Sequence, residues 1–333
     1  MVNGASLQAD GEKGDKQMTV QQMETIVIAG LGRPVSKLIL GSMLLSDERM
    51  EVSAELLDAY TAIGGNAIDT ARVYGPRGMG AIGKWMGDRR NRSGLVLIAK
   101  GAHHDDKGPR VTRSAVDEDL TYSLELMQTD YADVFMLHRD DPDKPAGEIV
   151  ELLQEPLEAG RCRALGASNW TTARLEAANV YAAAHGLVGF ACNSPNLSLA
   201  RANEPRWAGC VSVDSADIAW HERTQLPLLS WSSQAAGFFT GRYAPDRRDN
   251  QEIVRVYYSD ENWERYRRAA ALGEAKGADA NQVALAYVLH QPFPACALIG
   301  PANAAELRSS AKALEVALTT AEIRWLNLQD DRR

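Results

Sequence analysis

Short apolar runs alternate with longer amphipathic stretches along most of the chain. The short runs are typical of buried strands, whereas the stretches between them repeat apolar residues at helical spacing, as at Val116, Leu120 and Leu124. The runs that predict strands are residues 38–40, 67–68, 95–99, 131–137, 164–165, 190–192, 226–229 and 297–299. The pattern therefore predicts strands that are separated, one after another, by helices.

Sustained strand-helix alternation favours a (β/α)8 TIM barrel, because eight parallel strands covered by helices close into a ring. A doubly wound fold would require a Gly-x-Gly-x-x-Gly turn directly after the first strand. The segment 30–34 precedes the first long strand and lacks the third glycine. It is typical of the turn of a hairpin formed by residues 24–28 and 35–40, which we expect to close the bottom of the barrel. We predict a single barrel over residues 23–333, preceded by a polar N-terminal tail over residues 1–22.

Composition narrows the range of partners. The 333 residues carry 36 Lys and Arg against 44 Asp and Glu, a net charge of −8. This balance argues against nucleic acid or an anionic membrane surface as a partner, so we expect a small-molecule partner. The composition does not indicate an oligomeric state. No apolar run approaches the ~20 residues of a membrane span, and the start has no signal-peptide core, so we expect a cytoplasmic protein. The four cysteines form no C-x-x-C pair, which indicates neither disulfides nor a zinc cluster.

Reactive side chains follow three consecutive predicted strands. Asp69 ends the second strand and Tyr74 follows it, Lys100 ends the third strand, and His138 ends the fourth. The carboxyl ends of barrel strands meet at one mouth, so we expect these four side chains to converge. Any one of them could be a helix cap or a surface residue. Four at equivalent positions predict an active site.

The chemistry of this set indicates proton transfer to a carbonyl group. A tyrosine has an ordinary pKa near 10, so we expect a neighbouring cation, Lys100, to lower the pKa of Tyr74. Asp69 would balance the charge of Lys100 in a partly dry pocket. His138 would donate a hydrogen bond to the carbonyl oxygen. With no obvious nucleophile and no metal site, the residues predict a proton donor that faces a carbonyl.

Four sequence segments together resemble the aldo-keto reductases. These segments are residues 65–75, 98–100, 130–138 and 166–169. The resemblance covers roughly residues 38–328 and implies an NAD(P)H-dependent oxidoreductase that reduces an aldehyde or ketone, with sugar-like compounds among the candidate substrates. By that resemblance Tyr74 is the general acid, Asp69 and Lys100 tune it, and His138 orients the carbonyl.

The resemblance also implies a set of nicotinamide coenzyme contacts at the same mouth. Gly41, Ser42 and Met43 match the first-strand backbone, Ser168 and Asn169 match the pair that holds the carboxamide, and Trp231 matches the aromatic residue that stacks on the ring. The pyrophosphate loop is matched by Ser232, Gln234, Ala235 and Gly237, and the adenosine end by Gly300, Asn303 and Glu306. Where the family has a glutamine beside the carboxamide, this chain has Asn193 and Ser194, and either could replace it.

The segment after the eighth strand departs from the NADP-binding members of that family. Those members carry Lys or Arg there, whereas residues 300–306 contain no cation. The Glu306 carboxylate would repel a 2′-phosphate and could accept hydrogen bonds from a free ribose hydroxyl. We therefore expect NADH to be used at least comparably to NADPH.

Further features allow a functional interpretation. We interpret His103 and His104 as part of an exposed loop on the substrate side and not as metal ligands. Residues 240–258 are charged and poorly periodic, which is typical of a loop that covers a site. Trp207 and Trp220 are expected to pack under the outer helices.

Other functions remain open on the sequence alone. A barrel lyase or aldolase would form a Schiff base on Lys100, which requires a lysine with a depressed pKa. A regulatory subunit resembling the potassium-channel β subunits would bind the coenzyme for regulation. Residues 139–143, next to His138, are compatible with a solvated turn or with contacts to sugar-like hydroxyl groups.

Overall fold

The computed structural model describes residues 23–332, in which eight parallel strands close into a barrel behind an N-terminal hairpin. The hairpin strands are β1 (Thr25–Val27) and β2 (Pro34–Ser36). The barrel strands are β3 (Leu38–Gly41), β4 (Ala67–Ala71), β5 (Val96–Gly101), β6 (Ala132–Leu137), β7 (Cys162–Ser168), β8 (Phe190–Ser194), β9 (Leu228–Ser230) and β10 (Ala295–Ile299). Because β10 pairs with β3, the ring is complete and the predicted TIM barrel is confirmed. The predicted tail over residues 1–22 lies outside the described residues.

The hairpin closes the bottom of the barrel, as predicted. Ile26 and Val35 are paired across its two strands, and both pack against the inward side chains of the barrel. The turn passes so close to the start of β7 that a Cβ at Gly30 would lie 2.9 Å from the carbonyl oxygen of Arg163. The predicted second hairpin strand, residues 35–40, is wrong in extent because the chain leaves the hairpin after Ser36 and enters the barrel as β3.

Twelve α-helices surround the barrel in the described residues. They are α1 (Met50–Ala62), α2 (Pro76–Arg89), α3 (Arg113–Met127), α4 (Ala146–Leu152), α5 (Gln154–Glu158), α6 (Thr172–Ala184), α7 (Ser215–Thr224), α8 (Gln251–Tyr257), α9 (Asp260–Lys276), α10 (Ala280–Leu289), α11 (Ala304–Ala311) and α12 (Thr320–Leu326). The stretch 240–258 therefore contains a helix, α8, which the interpretation as a loop missed. Ile253, Val256 and Tyr257 are buried in it, but a helix of two turns is too short to show a clear period among charged neighbours.

The barrel interior has an apolar lower half. Inward residues such as Ile39, Ile98, Met136 and Leu229 form one cluster with the hairpin. Side chains alternate between the two faces of a strand, so residues two positions further along each strand also face inward, nearer the mouth. The inward-facing side chains at the carboxyl ends of the strands therefore lie directly above this apolar cluster.

Candidate active site

The strand pleat brings the predicted reactive residues into one space. Ile98 and Met136 face the barrel interior, so Lys100 and His138, two residues further along, face it at the mouth. Asp69 follows the inward Ala67 in the same way. The structure thus brings together three of the four predicted side chains through strand geometry alone.

Asp69 and Lys100 form an ion pair inside the barrel. Each is only 3% exposed, and the Lys100 ammonium donates to both carboxylate oxygens of Asp69. Burial disfavours the charge on Lys100, but the carboxylate of Asp69 raises the pKa of that lysine above its usual value. A cation is therefore held at the mouth throughout the physiological pH range.

Tyr74 lies above this pair. It ends a short 3-10 helix, Arg72–Tyr74, and its ring centre is 5.3 Å from the Lys100 ammonium. Burial is the larger cause and raises the pKa of the Tyr74 phenol, whereas the charge of Lys100 lowers it, as expected, and only partly opposes this rise. The phenol is protonated at neutral pH, which is the form that can donate a proton.

His138 meets Tyr74 edge to face, with ring centres 5.8 Å apart. Burial, followed by the charges of Lys100 and Arg139, lowers the pKa of His138 well below its usual value. Its imidazole is therefore neutral at pH 7 and has one N–H to donate. The ring centres of His103 and His138 lie 4.8 Å apart. The loop that we interpret as lying on the substrate side therefore contacts the site through His103.

The predicted carboxamide clamp forms a connected set of polar groups. Ser168 Oγ donates to the carbonyl oxygen of Ser194, and Asn169 Nδ2 donates to Ser168 Oγ at 3.0 Å. The Asn169 Oδ1 accepts from the indole N–H of Trp231 at 3.2 Å. These residues end β7, β8 and β9, so their mutual bonds fix the Trp231 ring at the mouth.

The pleat separates the two alternatives for the family's glutamine. Cys192 belongs to the inward cluster of the barrel, so Ser194 faces the interior and Asn193 faces away from it. The Asn193 Oδ1 is buried without a hydrogen-bond partner in the described part of the chain. Of this predicted pair, the structure brings only Ser194 toward the other coenzyme residues.

The loop after β9 has an unusual backbone. Ser232, Ala235 and Ala236 adopt left-handed conformations, and Gly237 joins them with a φ of 81°. Such conformations are unfavourable for residues with a Cβ and are found where a loop is shaped for binding. A Cβ at Gly237 would lie 3.3 Å from the guanidinium carbon of Arg242, so this cation lies directly over the loop.

Other contacts attach this loop to its surroundings. Gln234 donates to Ser310 Oγ of α11 at 3.4 Å. Arg206 donates to Ser232 Oγ at 3.0 Å and also pairs with Glu252 of α8. The hydrogen bond between Arg206 and Glu252 lowers the pKa of Glu252 below its usual value. The segment 240–258, which is predicted to cover the site, is therefore connected to the predicted pyrophosphate loop.

The remaining predicted coenzyme residues occupy the β3 and β10 ends. Gly41 approaches β10 so closely that a Cβ would lie 3.3 Å from the carbonyl oxygen of Ile299. Ser42 Oγ donates to Thr70 at 2.9 Å, and Met43 is 65% exposed.

The segment after β10 forms the first turn of α11. Asn303 caps this helix by accepting from the amides of Ala305 and Glu306. The Glu306 carboxylate accepts from the amide of Ala302 at 2.9 Å. A Cβ at Gly300 would meet nothing within 4 Å, so open space remains beside the turn.

This arrangement fits a nicotinamide dinucleotide. Asn169 holds the Trp231 indole and also donates to the carbonyl oxygen of His138 at 3.5 Å. A left-handed loop under a cation suits a pyrophosphate, and open space adjoins Gly300. Within residues 23–332, no group of three or more His, Cys, Asp or Glu side chains could hold a metal ion. No helix of the same range has the length and apolar character needed to span a membrane.

Two residues near the site were misjudged or missed from the sequence. Trp207 does not pack under a helix: it is 46% exposed on a loop, 5.7 Å from the ring of Trp231. Arg139 belongs to the segment 139–143, for which a solvated turn was one interpretation, yet it is buried directly beside His138. A cleft of about 770 Å³ adjoins the mouth between the segments that carry Val73 and His103. Spacing along a loop could not have indicated these positions.

Comparison with known proteins identifies relatives along nearly the whole chain. A family model described as the aldo/keto reductase family matches residues 37–327. Norsolorinic acid reductase stcV of Emericella nidulans is 30% identical over 319 residues, which cover 88% of this chain and 77% of the relative. The putative aryl-alcohol dehydrogenase AAD14 of Saccharomyces cerevisiae is 26% identical, with 89% of this chain and 83% of the relative covered. Protein tas of Escherichia coli K12 is 28% identical, with 86% and 91% covered.

Proposed function

The chain belongs to the aldo/keto reductase family and is an NAD(P)-dependent oxidoreductase, and from this premise we propose that Tyr74 is its proton donor in the reduction of an aldehyde or ketone to an alcohol. The observation that carries the proposal is the convergence of a protonated phenol and a neutral imidazole above a buried ion pair. A carbonyl oxygen between Tyr74 and His138 would meet a donor on each side.

Each residue of this set has a distinct role in the proposed reaction. A bound reduced nicotinamide supplies the hydride to the carbonyl carbon. Tyr74 transfers its hydroxyl proton to the carbonyl oxygen, and the ammonium of Lys100 stabilises the phenolate that remains. Asp69 keeps that buried ammonium charged. His138 orients the oxygen by donating a hydrogen bond.

The coenzyme would be held by the residues that the structure gathers along β7 to β10. Ser168, Asn169 and Ser194 are proposed to contact the carboxamide, Trp231 to stack on the ring, and the loop under Arg242 to bind the pyrophosphate. The acidic turn at Glu306 supports our proposal that NADH is used at least as well as NADPH.

Apolar side chains at the mouth support an aryl or similarly apolar substrate. Met43, Leu44, Val73 and Trp207 are all large and exposed, and they lie on the loops after β3, β4 and β8. The name of one relative, an aryl-alcohol dehydrogenase, agrees with this class.

The acids beside the mouth argue against sugar-like hydroxyl groups. Asp140 is bound by Arg174 at 3.0 Å, and Asp141 lies 3.6 Å from Lys144. Both carboxylates are therefore engaged by cations of the protein and are not free to bind a polyol.

The ion pair also argues against Schiff-base chemistry. A Schiff-base lysine must lose its proton near neutral pH. The carboxylate of Asp69 acts in the opposite direction and, despite burial, raises the pKa of Lys100.

A single hydroxyl deletion tests the proposal. We expect Tyr74→Phe to lower kcat for benzaldehyde by about a hundredfold or more, because only the proton donor is lost. The Kd for the coenzyme, measured by quenching of protein fluorescence, should stay within a few-fold. Tyr181→Phe is the matched control, since Tyr181 lies on α6 and its hydroxyl bonds to Glu151 of α4, among the outer helices. Normal turnover by Tyr74→Phe would refute the assignment, and coenzyme binding without turnover in the unmodified protein would favour the regulatory alternative.

A further inference from the structure

Arg139 is a buried cation without a counter-anion. Its side chain is 7% exposed, at the mouth directly after His138. One terminal nitrogen donates to the carbonyl oxygen of His138 at 2.8 Å and the other to the sulfur of Cys210 at 3.3 Å, while its Nε is buried without a partner. Within residues 23–332, no carboxylate lies within 4.0 Å of it. An isolated buried charge is costly unless it is paired.

The other buried cations of the described residues have acidic partners. Lys100 contacts Asp69, and Arg265 lies 3.5 Å from Glu261. The acids nearest to Arg139 in sequence are Asp140 and Asp141, but each is engaged by another cation, as described above. Among the buried cations of residues 23–332, Arg139 therefore differs from Lys100 and Arg265 in having no acidic partner.

Neither the neighbouring thiol nor the coenzyme can neutralise this charge. Burial raises the pKa of Cys210 above its usual value, with Arg139 opposing, so the thiol is neutral at pH 7. The proposed phosphate-binding segments follow β9 and β10, and β10 lies across the barrel from β6, which leads to Arg139. Once the thiol and the coenzyme are set aside, the substrate is the remaining source of an anion at the mouth.

The charge of Arg139 reaches the reacting groups. After burial and Lys100, Arg139 is among the causes that lower the pKa of His138, and it acts in the same direction on His103 after burial. Because Arg139 follows His138 and donates to its carbonyl oxygen at 2.8 Å, the guanidinium lies beside the residue proposed to orient the substrate carbonyl. Each terminal nitrogen has a second N–H that these two bonds do not use, and the planar guanidinium is suited to two parallel bonds with a carboxylate.

We propose that Arg139 binds a carboxylate on the substrate, so that the substrate class is an apolar carbonyl compound with a carboxylate group. This inference rests on the proposed function, because it assigns the second anchor of the same substrate. Met43 and Trp207 would contact the apolar body between the carbonyl and the carboxylate. Arg139 is in this view the residue that determines specificity.

Matched substrates test the proposal. The three positional isomers of carboxybenzaldehyde are compared with their methyl esters, which keep the shape and remove the charge. We expect at least one isomer to exceed its ester in kcat/KM by about tenfold or more, mainly through KM. In Arg139→Met the ratio for that isomer should fall to near one. Arg265→Met is the control for loss of a buried guanidinium and should keep the ratio of the unmodified protein.

A binding measurement separates this proposal from the reductase assignment. Benzoate and benzamide are titrated by calorimetry into the coenzyme-loaded protein, so turnover is not needed. Tighter binding of benzoate that is lost in Arg139→Met, or in Arg139→Gln where the first variant does not fold, supports the anion site even if no aldehyde is reduced. Equal kcat/KM for every acid and its ester, equal binding of both probes, or a preference that survives in the Arg139 variants would overturn it.

Discussion

At the scale of single residues, the site depends on which groups carry charge in a dry environment. Lys100 stays charged because Asp69 is in contact with it, whereas no acid of residues 23–332 pairs with His138, whose pKa is lowered by burial and by the charges of Lys100 and Arg139. The same mouth therefore holds a charged ammonium and a neutral imidazole. A protonated His138 would add a further cation beside Lys100 and Arg139, whereas the neutral form keeps one N–H to donate to a carbonyl oxygen.

The protonation state of His138 has a measurable consequence. We expect histidine NMR of the folded protein to show His138 titrating well below 6.5, with burial as the main cause. The unfolded chain then binds more protons than the folded one as the pH falls below about 6.5, so His138 stabilises the fold above that pH and this contribution is lost on acidification. The slope should reach at most about 1.4 kcal/mol per pH unit. A His138 resonance that titrates at or above 6.5 would contradict this assignment.

The sequence was sufficient to predict the positions of the site residues that lie at the ends of strands. Asp69, Lys100 and His138 could be predicted because the barrel aligns strand ends whatever the loops do. Trp207 could not, because the loop between β8 and α7 determines where it lies. The direction of the Tyr74 shift was also out of reach, since it depends on how much water the folded mouth excludes.

At the scale of elements, one helix residue fixes two active-site segments. Asp119 of α3 is buried and accepts from the amide of Ala102 at 2.8 Å and from Arg110 at 3.1 Å. Its other oxygen lies 3.7 Å from Arg72, two residues before Tyr74. Ala102 has a left-handed φ of 54°, a conformation that needs such support. Asp119 is thus a positioning residue for the segments that carry Tyr74 and His103.

Neutralising this helix residue should loosen both segments. We expect Asp119→Asn to lower kcat/KM by about tenfold through misplacement of Tyr74, and the free energy of unfolding by about 2 kcal/mol. Coenzyme affinity should not change, because α3 lies away from the β9 and β10 loops. The control is Asp117→Asn on the same helix, whose carboxylate pairs with Arg161 on the surface. Unaltered kcat/KM in Asp119→Asn would exclude the positioning role.

The hairpin offers a second test at this scale. Gly30 and Gly32 both have left-handed backbones, but only a Cβ at Gly30 would collide with the barrel, at the carbonyl oxygen of Arg163. Gly32→Ala should cost about 1 kcal/mol from backbone strain alone. Gly30→Ala should cost about 3 kcal/mol, because overlap is added to the strain. Urea unfolding of both variants measures the difference, and equal losses would show that the turn is not pressed against β7.

At the scale of the whole molecule, the two ends of the barrel serve different purposes. The hairpin end is filled with apolar side chains such as Ile26 and Ile98, whereas the opposite end holds the buried charges. The number of strand-helix units and the hairpin could be read from sequence, since each depends on local periodicity. The exit of the chain at Ser36 and the short α8 could not, because only packing against the barrel determines where those segments end.

The preference for NADH or NADPH is a property of the whole molecule that can be tested directly. The turn after β10, which we propose binds the adenosine end, carries the Glu306 carboxylate, whereas Arg242 lies over Gly237 in the proposed pyrophosphate loop. We expect the unmodified protein to bind NADH at least as tightly as NADPH. Glu306→Gln removes the charge but keeps an oxygen for the amide of Ala302, and Ala302→Arg adds a cation to the same turn. Each should shift the ratio of the two Kd values toward NADPH by about tenfold, which corresponds to about 1.4 kcal/mol.

A distant arginine controls for the change in net charge. Ala271 is exposed on α9, so Ala271→Arg adds the same charge as Ala302→Arg away from the turn after β10. Its ratio of Kd values should stay that of the unmodified protein, because exposed charges beyond about 10 Å are screened at ordinary salt. The two dissociation constants of the unmodified protein decide the main point. A hundredfold preference for NADPH would mean that a basic group outside the turn, such as Arg308 of α11, reaches the 2′-phosphate, and the acidic turn would then not determine the choice of coenzyme.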